Sequence, residues 1–327
     1  MKYIIAIILS FFISIIIAPF VIKKCKQLKF GQNILSYVES HIKKQGTPTM
    51  GGIIFIISAI VSTFCVVSGS FSMALVGMAV FFGFGVLGFL DDFIKIKCKR
   101  NLGLRPYQKV LGQLSISIIV ACYAYFNGFI GSKVFIPFFD TWVDFDVFII
   151  PFIIFIFIAT TNSVNLTDGL DGLAGGTTIA YLVGVCAIIL LNLGNVDIMA
   201  RVEQENMLVF LFAVVGGVFG FLIFNNYPAS IFMGDTGSLA LGSVVALSGC
   251  FTGFELYIPI IGFMFVMSTV SVILQVLHYK RTKKRIFLMA PLHHHFEKKG
   301  MYETKIVTIY ISITILLGLF SVLLTIM

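Results

Sequence analysis

Five aspartates, Asp91, Asp92, Asp168, Asp171 and Asp235, stand at the ends of long apolar runs, and three histidines, His293, His294 and His295, follow another. Charges beside membrane-length segments are expensive and are kept mainly for chemistry. Acids of this kind hold a hard divalent cation or orient a nucleophile, and imidazoles serve phosphate recognition or proton transfer. Consecutive imidazoles without a cysteine pair make a poor zinc site.

The elements that must carry these groups are membrane helices. The chain has 327 residues, 58% of them hydrophobic and only 12% charged, with a mean hydropathy of +1.03. That composition excludes a soluble globular protein. Windows of roughly 16 to 22 apolar residues, the length a bilayer requires, predict ten spans. They lie near 3–22, 50–69, 72–90, 110–127, 147–163, 174–193, 207–226, 238–253, 256–278 and 306–327. The expected fold is therefore all-α and polytopic, one transmembrane domain over 1–327. The first span is expected to remain as a helix, because its lysines follow the apolar run instead of preceding it.

Of the 23 Lys and Arg residues, all but Lys2, Lys133 and Arg201 fall in three blocks, Lys23 to Lys44, Lys95 to Lys109 and Lys280 to Lys305. These follow spans one, three and nine, and the positive-inside rule makes that side cytoplasmic. Both termini then face outward. The net charge of +8 follows topology and does not argue for nucleic acid. The six cysteines suggest no disulfide framework.

The aspartate groups and the histidines follow spans three, five, seven and nine. Each step is two spans, so all four return to the cytoplasmic face, as a single site built from several loops requires. In GFLDDFIK a helix continued past the membrane edge puts Asp91 and Lys95 on one face, with Asp92 turned away by about 100°. The nearby Gly83, Gly85 and Gly88 read as helix-packing contacts. TNSVNLTDGLDGLAGG has turn character, yet Asn162 and Asn165 sit where an unpaired amide is costly. In MGDTGSLALG, Asp235 precedes an apolar helix, as an N-cap or at a helix start that suits phosphate. The basic residues before APLHHHFE suit anionic headgroups. GTPTMGG at 46–52 lacks the ending of a P-loop and contains Thr47, with Lys44 placed to reach an anion.

GTPTMGG, GFLDDFIK, NLGL, TNSVNLTDGLDGLA, PASIFMGDTGSLALG and APLHHHFE, in this order, resemble the phospho-N-acetylmuramoyl-pentapeptide transferases. These belong to the wider polyprenyl-phosphate N-acetylhexosamine-1-phosphate transferases. The resemblance runs from about residue 25 to the C-terminus. It implies transfer of phospho-N-acetylmuramoyl-pentapeptide from its UDP-linked form to undecaprenyl phosphate, releasing UMP and forming lipid I for peptidoglycan. It further implies magnesium, a homodimer and the bacterial cytoplasmic membrane.

Carried over by motif, Asp235 resembles the metal-binding aspartate, Asp91 and Asp92 the essential pair, and Asp168 the acid of the third motif, with the histidine triplet also catalytic. Lys44, Thr47, Lys95, Asn162, Asn165, Asp171, Asn225 and Gln275 are the expected substrate-binding positions. Leu35, Val38 and Glu39 depart from the family pattern, which has an Arg and then a Gly-Pro in that stretch.

Two mechanisms fit this reading. In one step, the carrier phosphate attacks with Asp91 deprotonating or orienting it; in two steps, a carboxylate becomes phosphorylated first. Transport is the alternative class, but transporters gather ionisable groups near the midplane in related halves, and no halves are visible here. A related enzyme using UDP-N-acetylglucosamine is the nearer alternative.

Overall fold

The computed structural model describes residues 1–27, 46–98 and 103–326. Twelve helices and one hairpin follow in order: α1 (Lys2–Gln27), α2 (Gly52–Val66), α3 (Ser72–Lys97), α4 (Pro106–Phe126), β1 (Lys133–Ile136), β2 (Thr141–Asp144), α5 (Ile149–Thr167), α6 (Leu173–Asn192), α7 (Ile198–Asn225), α8 (Gly234–Cys250), α9 (Tyr257–Ile261), α10 (Phe263–Thr282), α11 (Leu292–Lys298) and α12 (Glu303–Ile326). Among the described residues, eight helices are long and apolar enough to cross a bilayer. The chain is an all-α polytopic membrane protein.

Two of the expected spans are shorter than that threshold. Helix α2 has 15 residues and α8 has 17. Helix α8 is the centre of the structure, packed by α2, α3, α5 and α6. Every residue from Thr236 to Cys250 is buried, so its neighbours, and not lipid, enclose it. Expected span nine is broken at Gly262 into the short α9 and the long α10. Much of α10 is exposed, including Ile273, Leu274, Val276 and Leu277, as a lipid-facing helix requires.

Backbones come close where glycines face each other. A Cβ on Gly88 of α3 would lie 2.0 Å from the Asp235 carbonyl oxygen, and one on Gly52 of α2 would lie 2.3 Å from the Gly237 Cα. The expected packing role of the α3 glycines is thus met most directly at Gly88. The stretch 128–146 contains the antiparallel pair β1 and β2, with Phe135 opposite Trp142. Phe135 N–H donates to the Gly253 carbonyl at 2.8 Å, which ties the hairpin to the end of α8 remote from Asp235. All six cysteines are free, and Cys25 lies inside α1.

Candidate active site

Helix α3 runs on past the apolar stretch to Lys97, ending in Lys95 and Lys97, where cations favour a helix C-terminus. That extra turn makes the Asp91–Lys95 pair, with Nζ 2.6 Å from Asp91 Oδ2. The same ammonium lies 3.7 Å from Asp92 and 2.9 Å from Asp235 Oδ2. Asp91 Oδ1 also accepts the Leu104 N–H at 2.8 Å, which binds the start of the next segment to the acid. Helix α4 then begins with Pro106 at its first turn, the position proline favours. One turn further on, Lys109 Nζ reaches Asp235 Oδ2 at 2.9 Å.

Asp235 lies just inside α8, whose preceding residue is Met233, so it is not the N-cap. The capping is done from α3. Asp92 accepts from the Asp235 N–H (3.2 Å), the Thr236 N–H (3.0 Å) and the Thr236 hydroxyl (2.8 Å). These first N–H groups, which a phosphate could otherwise use, are therefore taken by a carboxylate. Gly234 enters the helix at φ +70°, and a Cβ there would meet Asp92 Oδ2 at 2.4 Å. Only glycine satisfies both demands.

The GTPTMGG segment is stitched alongside. Phe232 N–H donates to the Pro48 carbonyl at 2.8 Å, while the Gly51 and Gly52 N–H groups donate to Phe232 and Met233 carbonyls at 2.8 and 3.0 Å. Thr47 is half-buried on this segment. Lys44, and the divergent Leu35, Val38 and Glu39, lie outside the described residues.

Asn165 Nδ2 donates to Asp235 Oδ1 and to the Ser238 hydroxyl, each at 2.8 Å. Asn162 instead faces α4, donating to Gln113 Oε1 at 3.1 Å. Asp168 follows the end of α5. Its burial, reinforced by the negative charges of Asp235, Asp92 and Asp171, raises its pKa well above the usual carboxylate value. Asp171 accepts the Ala229 N–H at 3.0 Å. Asn225 accepts the Gly172 N–H at 3.2 Å and donates to the Ile231 carbonyl at 2.9 Å. Gln275 holds the loop after α10, accepting the Ile286 and Phe287 N–H groups, each at 3.0 Å.

The three histidines have different surroundings. His293 is fully buried, against Tyr310 and His294. His294 Nδ1 lies 3.0 Å from Glu297. His295 Nδ1 accepts the Leu288 N–H at 3.1 Å, and burial together with nearby Lys299 lowers its pKa below the usual 6.5.

Asp91, Asp92 and Asp235 form the metal-capable cluster among the described residues, each offering an oxygen within 4.8 Å of the others. Lys95 and Lys109 occupy that negative focus with their ammonium groups. An all-oxygen set of two buried carboxylates and one partly buried one, already drawing two cations, fits magnesium. Lys109 is the functional candidate that sequence reasoning missed. Its signal was a lysine in the first turn of an apolar helix, read only as a topology marker.

Residues 72–252 match the glycosyl transferase family 4 model, and residues 44–56 match the phospho-N-acetylmuramoyl-pentapeptide-transferase signature 1. Curated phospho-N-acetylmuramoyl-pentapeptide-transferases from Clostridium perfringens (strain 13) and Clostridioides difficile (strain 630) are each 44% identical over 315 residues. That covers 96% of this chain and 96% and 95% of theirs. One from Clostridium kluyveri is 44% identical over 320 residues, 97% of this chain and 98% of its own. With identity of this extent over nearly the whole chain, the chain belongs to the phospho-N-acetylmuramoyl-pentapeptide transferases, multi-pass membrane enzymes of peptidoglycan synthesis.

Proposed function

We propose that this enzyme transfers phospho-N-acetylmuramoyl-pentapeptide from its UDP-linked precursor to undecaprenyl phosphate, with UMP leaving and lipid I as product. The reaction takes place at the cytoplasmic face of a bacterial inner membrane, in a homodimer whose protomers cross the bilayer ten times with both termini outward. The observation that carries this reading is the convergence of Asp91, Asp92 and Asp235 with Lys95 and Lys109, brought from α3, α4 and α8 to one point.

One phosphoanhydride is exchanged for another, so positioning and charge neutralisation supply most of the catalysis. Asp235, with Asp91 and Asp92 beside it, would hold magnesium, which when bound neutralises pyrophosphate charge. Lys95 and Lys109 reach the same oxygen of Asp235 and are the cations available to anionic phosphate oxygens there. Asn165 fixes the other oxygen of Asp235. Asp92 keeps the first turn of α8 in register. Asp91, bound to Lys95, orients the carrier phosphate. That phosphate's second pKa is about 6 in water, so orientation outweighs proton removal near neutral pH.

Purified protein incubated with undecaprenyl phosphate and either UDP-N-acetylmuramoyl-pentapeptide or UDP-N-acetylglucosamine tests this directly. UMP release from the muramoyl precursor alone, dependent on magnesium, is expected. Release from the glucosamine precursor alone would overturn the substrate assignment.

A further inference from the structure

The segment 168–172 links α5 to α6 and carries Asp168. On one side it is tied to the 225–229 segment, through Gly172 N–H to Asn225 and Ala229 N–H to Asp171. On the other side, the Asp171 N–H donates to Glu303 Oε1 at 2.6 Å. Glu303 is in the first turn of α12. Ile306 and Tyr310 follow at three and seven residues, on the same helical face.

That face touches both the loop and the histidine helix. Ile306 and Tyr310 pack with Leu170, Leu173 and Met264 in a small apolar cluster separate from the main core. The Tyr310 ring meets His293 edge-on at 6.3 Å between centroids. The loop in turn rests on the histidines, since a Cβ on Gly169 would lie 2.3 Å from His293 Nε2 and 3.0 Å from His294 Nε2. The loop carrying Asp168 and the histidine helix are thus registered against one strip of α12.

We propose that Glu303 is a positioning residue for the transfer reaction: its carboxylate anchors the Asp171 N–H and so sets Asp168 relative to His293 and His294. This rests on the reading that Asp168 and the histidines take part in phosphoryl transfer. A misplacement of about 1 Å costs up to about 100-fold in rate.

The test compares Glu303→Ala, which removes the acceptor, with Glu303→Gln, which retains an amide oxygen at the same reach. Turnover is measured as UMP release with undecaprenyl phosphate and UDP-N-acetylmuramoyl-pentapeptide. It is normalised to the nucleotide sites titrated by UMP calorimetry, so that unfolded protein does not count. E303A is expected to lose about 10- to 100-fold in normalised kcat with KM for the UDP precursor nearly unchanged, while E303Q stays within about threefold of wild type. Should the alanine variant fail to fold, Glu303→Asp, which withdraws the acceptor by one methylene and keeps the charge, carries the same expectation as alanine. Normal normalised kcat in E303A or E303D, or a loss in E303Q equal to theirs, would overturn the proposal. Wild-type protein that releases no UMP would overturn the transfer reading itself, before any variant is compared.

Discussion

Replacing Asp92 by asparagine distinguishes a carboxylate that caps a helix from one that acts on substrate. Asp92 receives three donors at the start of α8, two backbone N–H groups and the Thr236 hydroxyl. An asparagine keeps one oxygen for one N–H, and its amide can donate to the Thr236 hydroxyl, which rotates to accept. One buried N–H is then left unpaired, costing about 1–3 kcal/mol. Losing a negative charge at a helix N-terminus adds about 0.3–1 kcal/mol. The sum, about 1.3–4 kcal/mol, corresponds to roughly a 10- to 1,000-fold change in the unfolding equilibrium. SDS titration from mixed micelles measures it, with UMP release followed in parallel. Asp92→Asn should be destabilised by that amount and lose about 10- to 100-fold in turnover, because Asp235 shifts with the first turn of α8. Combining it with Thr236→Val should cost less than the sum of the two single changes, since both remove the same contact. An Asp92→Asn protein with unchanged stability and abolished turnover would refute the capping argument and assign Asp92 to the reacting groups.

Asp235→Asn should lose UMP release and magnesium dependence together; normal turnover would remove its metal assignment. Lys109→Met, which keeps the length of the stem, should lower kcat by about 10-fold or more while Lys95 remains on Asp235, and unchanged kinetics would make Lys109 a topology marker only. The depressed pKa of His295 means that the unfolded state takes up its proton at higher pH than the folded state. Its contribution to stability is therefore complete above pH 6.5 and is lost as the pH falls through the folded value. Protection of the Leu288 amide, its hydrogen-exchange rate relative to the intrinsic rate at each pH, should fall over that acidic range in wild type and be low throughout in His295→Ala; wild-type protection that does not change with pH would refute this coupling. Cys98, exposed just after α3, should react with a membrane-impermeant maleimide in inverted vesicles and not in right-side-out ones. The reverse pattern would invert the topology.

Part of the candidate site was legible because counting spans assigns each acid to an expected face. That count put Asp91, Asp92 and Asp235 on one face, and the structure gathers them in one cluster, while helical spacing alone gives the Asp91–Lys95 pair. What escaped depended on contacts between distant segments. Nothing local tells that Asp92 turns to cap α8 or that Lys109 reaches Asp235 from another helix. Gln275 and Asn225 are polar groups at span ends, where binding substrate and bracing a loop leave the same trace in sequence. The break at Gly262 was hidden because the apolar run continues on both sides of it. The window at 238–253 reads as a span, but α8 has only 17 residues and is surrounded by protein, which a count of apolar residues does not distinguish from lipid.

The glycine seam joining α2, α3 and α8 bears on how such an enzyme evolves. Because main chain rests on main chain at Gly52 and Gly88, the aspartates are held by parts that admit no added side chain. A side chain added at either glycine would push α2 or α3 away from the start of α8, so a change that retunes the site without moving its acids has room only in the surrounding loops.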